Sequence, residues 1–392
     1  MSLYVQRFAV TLDYPVYFTH GVFHPDSPDL AAAVGRKEPS RRHRCLFVVE
    51  ARVAELWPQL LSDIEEYARA HGRALELACP PLVVAGGEAC KNDEQAPARL
   101  LAEFEARKMD RHAAVVMIGG GALQDMVGYA AATAHRGLRA VRIPTTVLSQ
   151  ADSGVGVKNG INAFGKKNFL GTFAAPFAVL IDTQFLRTLP AHLAVAGMAE
   201  AVKVALIKDG EFFGWLVEHA ARLARLEEAS LATLIRRCAE LHLAHIATSG
   251  DPFELGAARP LDFGHWAAHK LESLSAYRLS HGEAVAIGIA LDTRYSAEVG
   301  LIAQHEAEQV VSLLEQLGLP LWDEMLELES ARGPRVLEGL DEFREHLGGE
   351  LTVTLLESLG RGREVHELDE RVIRASLRWL RERTRRPRAA AG

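Results

Sequence analysis

The stretch AAVVMIGGGALQDMVGYAAATAHRGLRAVRI (113–143) decides the fold of this chain. Its apolar start, 113–118, predicts a buried strand, and the glycines that follow predict a tight turn. Residues 122–135 have the length and apolar spacing of a helix, and 138–143 predict the next strand. A strand, a helix and a second strand in this order are typical of a parallel sheet.

The preceding residues repeat the same alternation. Apolar runs at 45–50 and 75–85 predict strands, and the segments 53–71 and 94–108 predict helices. Strands without polar alternation are usually buried on both faces, so the pattern predicts a mostly parallel α/β sheet with helices on either side. Residues 4–19 alternate with period two instead and predict an additional antiparallel ribbon.

After about residue 190 the pattern changes to helices. Apolar residues recur at spacings of three and four in a run of helix-length segments, which include 228–249, 263–276, 281–299 and 303–317. The sequence therefore predicts an α/β domain over 1–188 and an all-α domain over 189–380. The basic tail 381–392 is expected to be a disordered, solvated end, with a phosphate-binding arm as the alternative.

Composition excludes several classes of protein. The chain has 392 residues, 48% of them hydrophobic and 24% charged, and a net charge of -7, which gives no electrostatic footprint for nucleic acid. Its four cysteines are scattered without close pairing, which argues against a thiolate metal site and a disulfide framework. The charged, alternating start and the absence of a long apolar run predict a cytoplasmic protein with no membrane partner.

The glycine-rich turn is a candidate nucleotide site. Gly119, Gly120 and Gly121 let the backbone approach a ligand, and the helix that follows offers free amides to a pyrophosphate. Gln124 stands where a third spaced glycine is usual in dinucleotide-binding turns, so a plain tight turn explains the glycines equally well. Asp125, in the first helical turn, can contact a ligand or simply complement the helix dipole.

A second polar stretch follows, PTTVLSQADSGVGVKNGINAFGKKNFLGTF (144–173). It combines lysines, asparagines and glycines with little apolar periodicity, and its cations and amides suit phosphate oxygens. A long surface loop is the alternative interpretation.

Charged residues also interrupt apolar helices. Glu200 and Lys203 lie in the run GMAEAVKVALI and form either an intrahelical pair or part of a site. His265 and His269 share one helical face, and His281 begins the next helix. Each histidine alone is more often structural, but together with Glu200 they predict a two-histidine, one-carboxylate zinc site with an open position.

These motifs together resemble those of 3-dehydroquinate synthase and related sugar phosphate cyclases, from about residue 45 to 350. The matching stretches are GGEACK (86–91), GGGALQDMVGYAAATAHRG (119–137), IPTTVLSQADSGVGVKNGIN (143–162), GKKNFLGTF (165–173), GMAEAVKVALI (197–207) and FGHWAAHKLE with HGEAVAIGIAL (263–291). The resemblance implies a dehydroquinate synthase-like fold, with a Rossmann-like N-terminal α/β domain, and a homodimer. It implies an NAD- and zinc-dependent lyase, with cobalt as an alternative metal, that eliminates phosphate from a sugar phosphate and closes a carbocycle by an aldol step.

The resemblance also implies site residues. The metal ligands would be Glu200, His265 and His281. The residues that hold NAD would be Glu50, Glu88, Lys91, Gly119, Gly120, Gly121, Asp125, Thr145 and Thr146. The catalytic and substrate-binding residues would be Asp152, Lys158, Lys167, Asn168, Lys203 and His269, together with Arg136, which in relatives reaches the phosphate site of the neighbouring subunit.

The sequence departs from the family where a substrate carboxylate would bind. The expected lysine is replaced by Ala244 and the expected arginine by Ala258, with Arg259 one place away. The expected asparagine is Asp262, whose carboxylate would repel an anion, and the C-terminal lysine pair is missing, with Arg344 nearby. Losing such partners disfavours a carboxylate by several kcal/mol.

We therefore expect a substrate without a carboxylate, such as sedoheptulose 7-phosphate, and a C7-cyclitol as product. His269 is a departure from the valiolone-forming relatives, which typically have proline there. The stretch LDFGHWAAHKLE is most similar to the dehydroquinate-synthase-like members of Ebo-type bacterial metabolite clusters.

Three alternatives remain open. The first is authentic 3-dehydroquinate synthase, with Arg259 and Arg344 replacing the displaced cations. The second is a glycerol-dehydrogenase-like oxidoreductase, although the lysine-rich segment suits a phosphate that net dehydrogenation does not need. The third is a binding module on an inactive scaffold, against which the complete metal-ligand set argues.

Overall fold

A computed structural model describes residues 3–164, 166–249, 253, 260–331, 333–346 and 349–385. The chain divides into two compact units. The first comprises Met1–Pro144 and Gly156–Asp182, and the second comprises Thr145–Val155 and Thr183–Gly392.

The first unit is an α/β unit. Its strands are β1 (Val16–Thr19), β2 (His43–Glu50), β3 (Leu75–Leu77), β4 (Leu82–Val84), β5 (Ala114–Gly119), β6 (Arg139–Pro144), β7 (Lys158–Ala163), β8 (Lys166–Phe173) and β9 (Ala178–Asp182). Its α-helices are α1 (Asp29–Gly35), α2 (Ala51–Leu56), α3 (Leu60–Ala70), α4 (Ala96–Ala106) and α5 (Gly121–Thr133).

Seven of these strands form one sheet in the order β1-β9-β6-β5-β2-β3, and β4 also pairs with β2. All the pairings in this sheet are parallel, as the sequence predicts. The central strand β5 is buried along its whole length, with Ile118 opposite Ile143 of β6. The strand order reverses direction between β2 and β5, and in open α/β sheets ligands bind outside the carboxyl ends of the strands at such a point.

Prolines break two elements that the sequence predicts as continuous. The expected helix 53–71 is two helices, α2 and α3, separated by Trp57–Gln59, and Pro58 lacks the N–H that a helix interior needs. The expected strand 75–85 is likewise divided into β3 and β4 by a segment that includes Pro80 and Pro81. Both short strands pair with β2, one at each end of it.

The predicted antiparallel ribbon over 4–19 is wrong. Within this stretch only Val16–Thr19 forms a strand, and it pairs in parallel with β9. A period-two pattern does not specify the partner, which here comes from far along the chain. The antiparallel ribbon of this unit is instead the hairpin of β7 and β8, in the segment for which a loop was the alternative interpretation.

A buried arginine holds this hairpin. Arg142 on β6 is 1% exposed; its Nη1 donates to the Gly156 carbonyl at 2.7 Å and its Nη2 donates to Oδ1 of Asn159 at 2.7 Å. Burial lowers the pKa of Arg142, and the charge of Asp125 opposes the shift. The fixed fork of guanidinium donors thereby sets where β7 begins, at Lys158.

The second unit is mainly helical. Its α-helices are α6 (Ala191–Lys208), α7 (Gly210–Ala224), α8 (Glu228–Thr248), α9 (His265–Leu274), α10 (His281–Glu298), α11 (Gln304–Leu317), α12 (Glu338–His346) and α13 (Glu370–Arg385). Two small antiparallel pairs accompany them: β10 (Glu329–Ser330) with β11 (Gly333–Pro334), and β12 (Val353–Ser358) with β13 (Arg361–Val365). None of the described helices is long and apolar enough to cross a membrane.

The first part of the expected tail is helical. Residues 381–385 continue α13 and are not a disordered segment, because Leu380 is buried and Arg383 binds Glu315 of α11. Residues 386–392 lie outside the described part of the chain. The segment Thr145–Val155, which sequence assigns to the first domain, belongs to the second unit.

Close backbone contact sets the position of α9 relative to α10. A Cβ atom on Gly288 would lie 1.9 Å from the carbonyl oxygen of Gly264, the residue that precedes α9. Gly264 has φ +77, a backbone conformation that residues with a side chain rarely adopt. A Cβ there would lie 2.7 Å from the amide nitrogen of Ile289. The two glycines therefore let α10 approach the start of α9.

We predict that Gly288→Ala lowers the free energy of unfolding by about 2–4 kcal/mol, because the backbone must separate to admit the methyl group. The matched control is Gly214→Ala in α7, where nothing lies within 4 Å of the added Cβ. That variant should gain up to about 1 kcal/mol from helix propensity. Urea unfolding of both variants measures the difference, and equal stabilities would refute the proposed clash.

Candidate active site

The first part of the candidate site lies at the carboxyl ends of β2 and β5. The amide of Gly120 donates to Oε2 of Glu50 at 2.7 Å. A Cβ on Gly119 would lie 2.7 Å from that oxygen, and one on Gly86 would lie 2.2 Å from Cγ of Glu50. The glycines therefore allow the backbone to contact the carboxylate of Glu50. The amides at the start of α5 can donate hydrogen bonds to anionic groups.

A buried lysine lies in the same unit. The side chain of Lys91 is 3% exposed, and its Nζ binds Oδ2 of Asp125 at 2.8 Å and Oδ1 of Asn168. Burial raises the pKa of Asp125, and the charge of Lys91 opposes that shift. Oε1 of Glu88 lies 3.9 Å from Nζ. Four of the predicted site residues are thus brought together, three of them around the ammonium group of the fourth.

The other predicted residues of this unit are less enclosed. Lys158 is exposed at the start of β7, and Lys167 is half-buried on β8. Arg136 is exposed in a short 3₁₀ turn after α5, where its φ of 64 is left-handed.

In the second unit, the threonines begin a short helical turn. The hydroxyl of Thr146 accepts from the Ser149 amide at 3.1 Å, and the hydroxyl of Ser149 accepts from the Thr146 amide at 3.1 Å. Thr145 is buried. The turn continues as one π-helical segment, Ser149–Ser153, which carries Asp152; such segments are frequent at functional sites.

The predicted metal ligands converge on one point. Potential ligand atoms of Glu200, His265 and His281 all lie within 4.8 Å of one another. Nε2 of His265 is 3.6 Å, and Nε2 of His281 is 3.3 Å, from Oε1 of Glu200. Glu200 comes from α6, and the histidines begin α9 and α10.

Neither histidine ring directs a proton towards the point where the three side chains meet. Nδ1 of His265 is 3.1 Å from the Phe263 carbonyl oxygen, and Nδ1 of His281 is 3.2 Å from Oε2 of Glu272, so both protons belong on Nδ1. Both Nε2 atoms then direct lone pairs at a carboxylate oxygen that is buried and accepts no hydrogen bond from the described residues. Two imidazole nitrogens and a carboxylate with outer hydrogen bonds of this kind fit a divalent metal of the zinc type.

Lys203 supplies the positive charge next to this cluster. Its Nζ binds Oε2 of Glu200, and its side chain is 5% exposed. Burial alone would raise the pKa of Glu200, but the charge of Lys203 holds it well below the usual value. Burial would lower the pKa of Lys203, yet Glu200, Asp152 and then Asp262 raise it above the ordinary value, so the lysine stays charged.

The remaining predicted residues of this unit differ in placement. The ring of His269 is exposed and lies 5.4 Å from the His265 ring and 6.1 Å from the His281 ring, centroid to centroid. Arg344 is exposed on α12 and binds Asp341 at 3.0 Å. Arg259 lies outside the described residues.

Sequence reasoning missed three residues that support the cluster. Glu272, 3% exposed, holds Nδ1 of His281. Asp292 accepts from the amide of Gly264 at 3.0 Å and from Nε1 of Trp266 at 2.9 Å. His242 binds Asp152. The sequence could have indicated only Glu272, which is an acidic residue close in sequence to two candidate metal ligands. Asp292 and His242 could not be found in this way, because the residues that they bind are distant in sequence.

His269, Glu272 and His281 form a second group with metal-ligand spacing. This group shares His281 with the first, and Glu272 already accepts the ring proton of that residue. Glu272 therefore serves better as the outer carboxylate of the first group than as a ligand of a second ion.

The comparisons with known proteins agree with this geometry. The family model "3-dehydroquinate synthase N-terminal" matches residues 81–196, and "3-dehydroquinate synthase C-terminal" matches 197–333. The 3-dehydroquinate synthase of Pseudomonas putida (strain W619) is 34% identical over 93% of this chain and 94% of its own length. That of a Nitratiruptor species is 41% identical over 60% of this chain and 66% of its own length.

Solved structures give the same result. The 2-epi-5-epi-valiolone synthase of Streptomyces hygroscopicus subsp. jinggangensis 5008, with NAD+ and Zn2+ bound, has a TM-score of 0.85 and 30% identity, covering 97% of this chain and 100% of that one. A 2-deoxy-scyllo-inosose synthase, with a TM-score of 0.74, 22% identity and coverage of 93% and 96%, shares the fold. The chain therefore belongs to the 3-dehydroquinate synthase family, whose members are sugar phosphate cyclases. It is an enzyme of the carbon–oxygen lyase type.

We predict that Glu272→Gln weakens zinc binding about 10- to 100-fold, since the amide no longer offers a charged acceptor to Nδ1 of His281. Zinc retention against a chelator, followed by metal analysis, measures the change without any assay of activity. The control is Glu218→Gln at an exposed position of α7. Equal zinc retention in both variants would contradict the role given to Glu272.

A pH prediction follows from Asp292. Burial raises the pKa of Asp292 from 3.8 to about 7, although two donors oppose the shift. Between these values the folded protein keeps a proton that the unfolded chain has lost, so this group's contribution to the free energy of unfolding falls as pH rises.

We therefore predict that the stability advantage of the wild type over Asp292→Asn is largest below pH 4. It should shrink as pH rises through 7, by roughly 4 kcal/mol at most. Urea unfolding of the metal-free proteins at several pH values measures this difference. A difference that is constant between pH 4 and 7 would show that Asp292 is ionised throughout.

Proposed function

We propose that this chain is an NAD- and zinc-dependent sugar phosphate cyclase for a substrate that lacks a carboxylate, such as sedoheptulose 7-phosphate, with a C7-cyclitol as product. The observation that carries the substrate class is the carboxylate of Asp262, which is close enough to Lys203 to raise its pKa. Membership of the family supports the reaction type.

Glu200, His265 and His281 would hold the zinc ion, and cobalt suits the same donor set. A bound divalent metal would polarise substrate oxygens. The exposed ring of His269 lies beside the two histidine ligands and is our candidate for proton relay. Lys203 remains charged and would stabilise negative charge that develops on substrate oxygens.

Glu50, Gly119–Gly121 and the start of α5 would hold NAD, together with Glu88, Lys91, Asp125, Thr145 and Thr146. The amide of Gly120 donates to a carboxylate oxygen, which supports the proposal that this turn can bind anionic oxygen atoms. NAD would supply reversible hydride transfer, so the reaction has no net redox change.

The phosphate group would be bound by cations of the first unit. Lys158, Lys167 and Asn168 offer donors on the hairpin that Arg142 holds. Arg136 is exposed, as a residue that serves a neighbouring subunit must be, and we propose that the enzyme is a homodimer on this basis. The cytoplasmic location stays a prediction, as does the finer resemblance to the Ebo-type members.

The substrate class follows from charge. A second anionic group beside Asp262 would meet like charge, and Ala244 on α8 offers no compensating cation. The valiolone synthase that resembles this chain in structure supports a cyclitol product. Asp262 and Lys203 are also compatible with hydroxyl groups, which donate to a carboxylate and accept from an ammonium.

The second candidate is 3-dehydroquinate synthase itself, acting on 3-deoxy-arabino-heptulosonate 7-phosphate. The 34% identity to the Pseudomonas putida enzyme over nearly the whole chain favours it. It would need Arg259 or Arg344 to bind the substrate carboxylate. Arg344 is occupied with Asp341 among the described residues, which makes this candidate the weaker one.

We predict that purified protein with NAD and zinc releases phosphate from sedoheptulose 7-phosphate and at least tenfold less from the carboxylated heptulosonate 7-phosphate. Glu200→Ala, which removes a metal ligand, should abolish release from both. Phosphate and cyclised product are measured together, with NADH absorbance as a check for net oxidation. Release chiefly from the heptulosonate would establish the second candidate, and accumulation of NADH would indicate a dehydrogenase.

A further inference from the structure

We infer that His242 is a positioning residue that holds the Asp152 carboxylate in place beside Lys203. This role rests on the proposed function, because it assigns a task to a group that the proposed reaction uses. Nδ1 of His242 lies 2.9 Å from Oδ1 of Asp152, and the two side chains are 16% and 24% exposed.

The helix α8 brings His242 to this position. Leu231, Ile235 and Cys238 are buried on one stripe of α8, at spacings of four and three residues, and His242 follows Cys238 by four. The negative charges of Asp152 and Glu200 contribute, after burial, to raising the pKa of the Cys238 thiol. The stripe that ends in His242 therefore faces the acidic groups of the cluster.

The hydrogen bond between His242 and Asp152 defines which ring nitrogen donates a proton. An ionised carboxylate can only accept, so the proton lies on Nδ1 of His242 and is donated to Asp152. Asp152 lies in the single π-helical turn Ser149–Ser153, whose backbone hydrogen bonds differ from those of a regular helix. The hydrogen bond from His242 on α8 therefore restrains the side chain of Asp152, which lies in a short segment.

Asp152 needs this restraint because of Lys203. The ammonium group is 5% exposed and has two acidic neighbours that raise its pKa most, Glu200 and Asp152. Glu200 is also a proposed metal ligand, and its charge is then shared with the ion. Of the two other carboxylates that raise the pKa of Lys203, Asp152 contributes more than Asp262. It does so only from a fixed position, since electrostatic support depends on distance.

The test compares two substitutions at one position. Asn at 242 keeps an N–H donor near the position of Nδ1, whereas Phe keeps the ring and loses the donor. We predict that His242→Phe lowers kcat/KM for phosphate release about 10- to 100-fold, as misplacement of a catalytic group does, and that His242→Asn restores most of it. The surface control is His305→Asn on α11.

A double-mutant cycle separates positioning from a general structural role. If His242 acts through Asp152, adding His242→Phe to Asp152→Asn should cause no further loss of activity. Losses that multiply, or a loss that only follows a lower melting temperature, would overturn the inference while the proposed function stands.

A second readout does not depend on activity. In protein labelled with ¹⁵N-histidine, the His242 signal is assigned by its disappearance in His242→Asn. It should show the Nδ1–H form in the wild type and change in Asp152→Asn. An unchanged His242 signal would refute the hydrogen bond. Absence of phosphate release from every sugar phosphate, with this signal as expected, would refute the proposed function instead.

Discussion

A buried glutamate sets the requirements for the whole helical unit. Glu200 is 1% exposed within an apolar helix, and an isolated ionised carboxylate there would be strongly destabilising. Lys203 compensates part of this charge, but one oxygen remains opposite two imidazole lone pairs and accepts no hydrogen bond from the described residues. A divalent cation would bind all three ligand atoms at once. The close glycine contact of α9 with α10, and the hydrogen bonds made by Glu272 and Asp292, can be understood as support for that point.

The α/β unit also has to stabilise a carboxylate at its candidate site, and it does so with backbone groups instead of the metal ion that we propose for the helical unit. Parallel strands end at one edge, and the reversal of strand order between β2 and β5 leaves Glu50 and the glycine turn there together. Lys91 is slightly more buried than Lys203 and is likewise close to acidic and amide oxygens. Each unit therefore stabilises a buried lysine, and the residues around that lysine are ones that we propose to bind NAD, metal or substrate. Structural and functional roles of these groups overlap, so substitutions there will affect stability and binding together.

The substrate that we propose for this chain depends on charge and not on the shape of the fold. The fold is shared by enzymes whose names indicate different products, and fold alone does not define a substrate. In our proposal, what differs is the set of cations available to a substrate carboxylate, which would be reduced at Ala244 and opposed at Asp262. His242 extends the same argument, because its hydrogen bond restrains the Asp152 carboxylate beside Lys203.

The sequence by itself determined the parallel α/β unit and the helical unit, and it predicted three metal ligands whose side chains the structure brings together. Apolar periodicity is a local signal, and charged residues in apolar helices are conspicuous because their burial is so unfavourable. Only the tertiary structure decided the pairing of β1 with β9, the membership of 145–155 in the helical unit, and the partners of Asp152 and Asp292. These depend on contacts between residues far apart in the chain. Sequence periodicity carries no information about such pairings, because it describes which face of an element is buried and not what that face contacts.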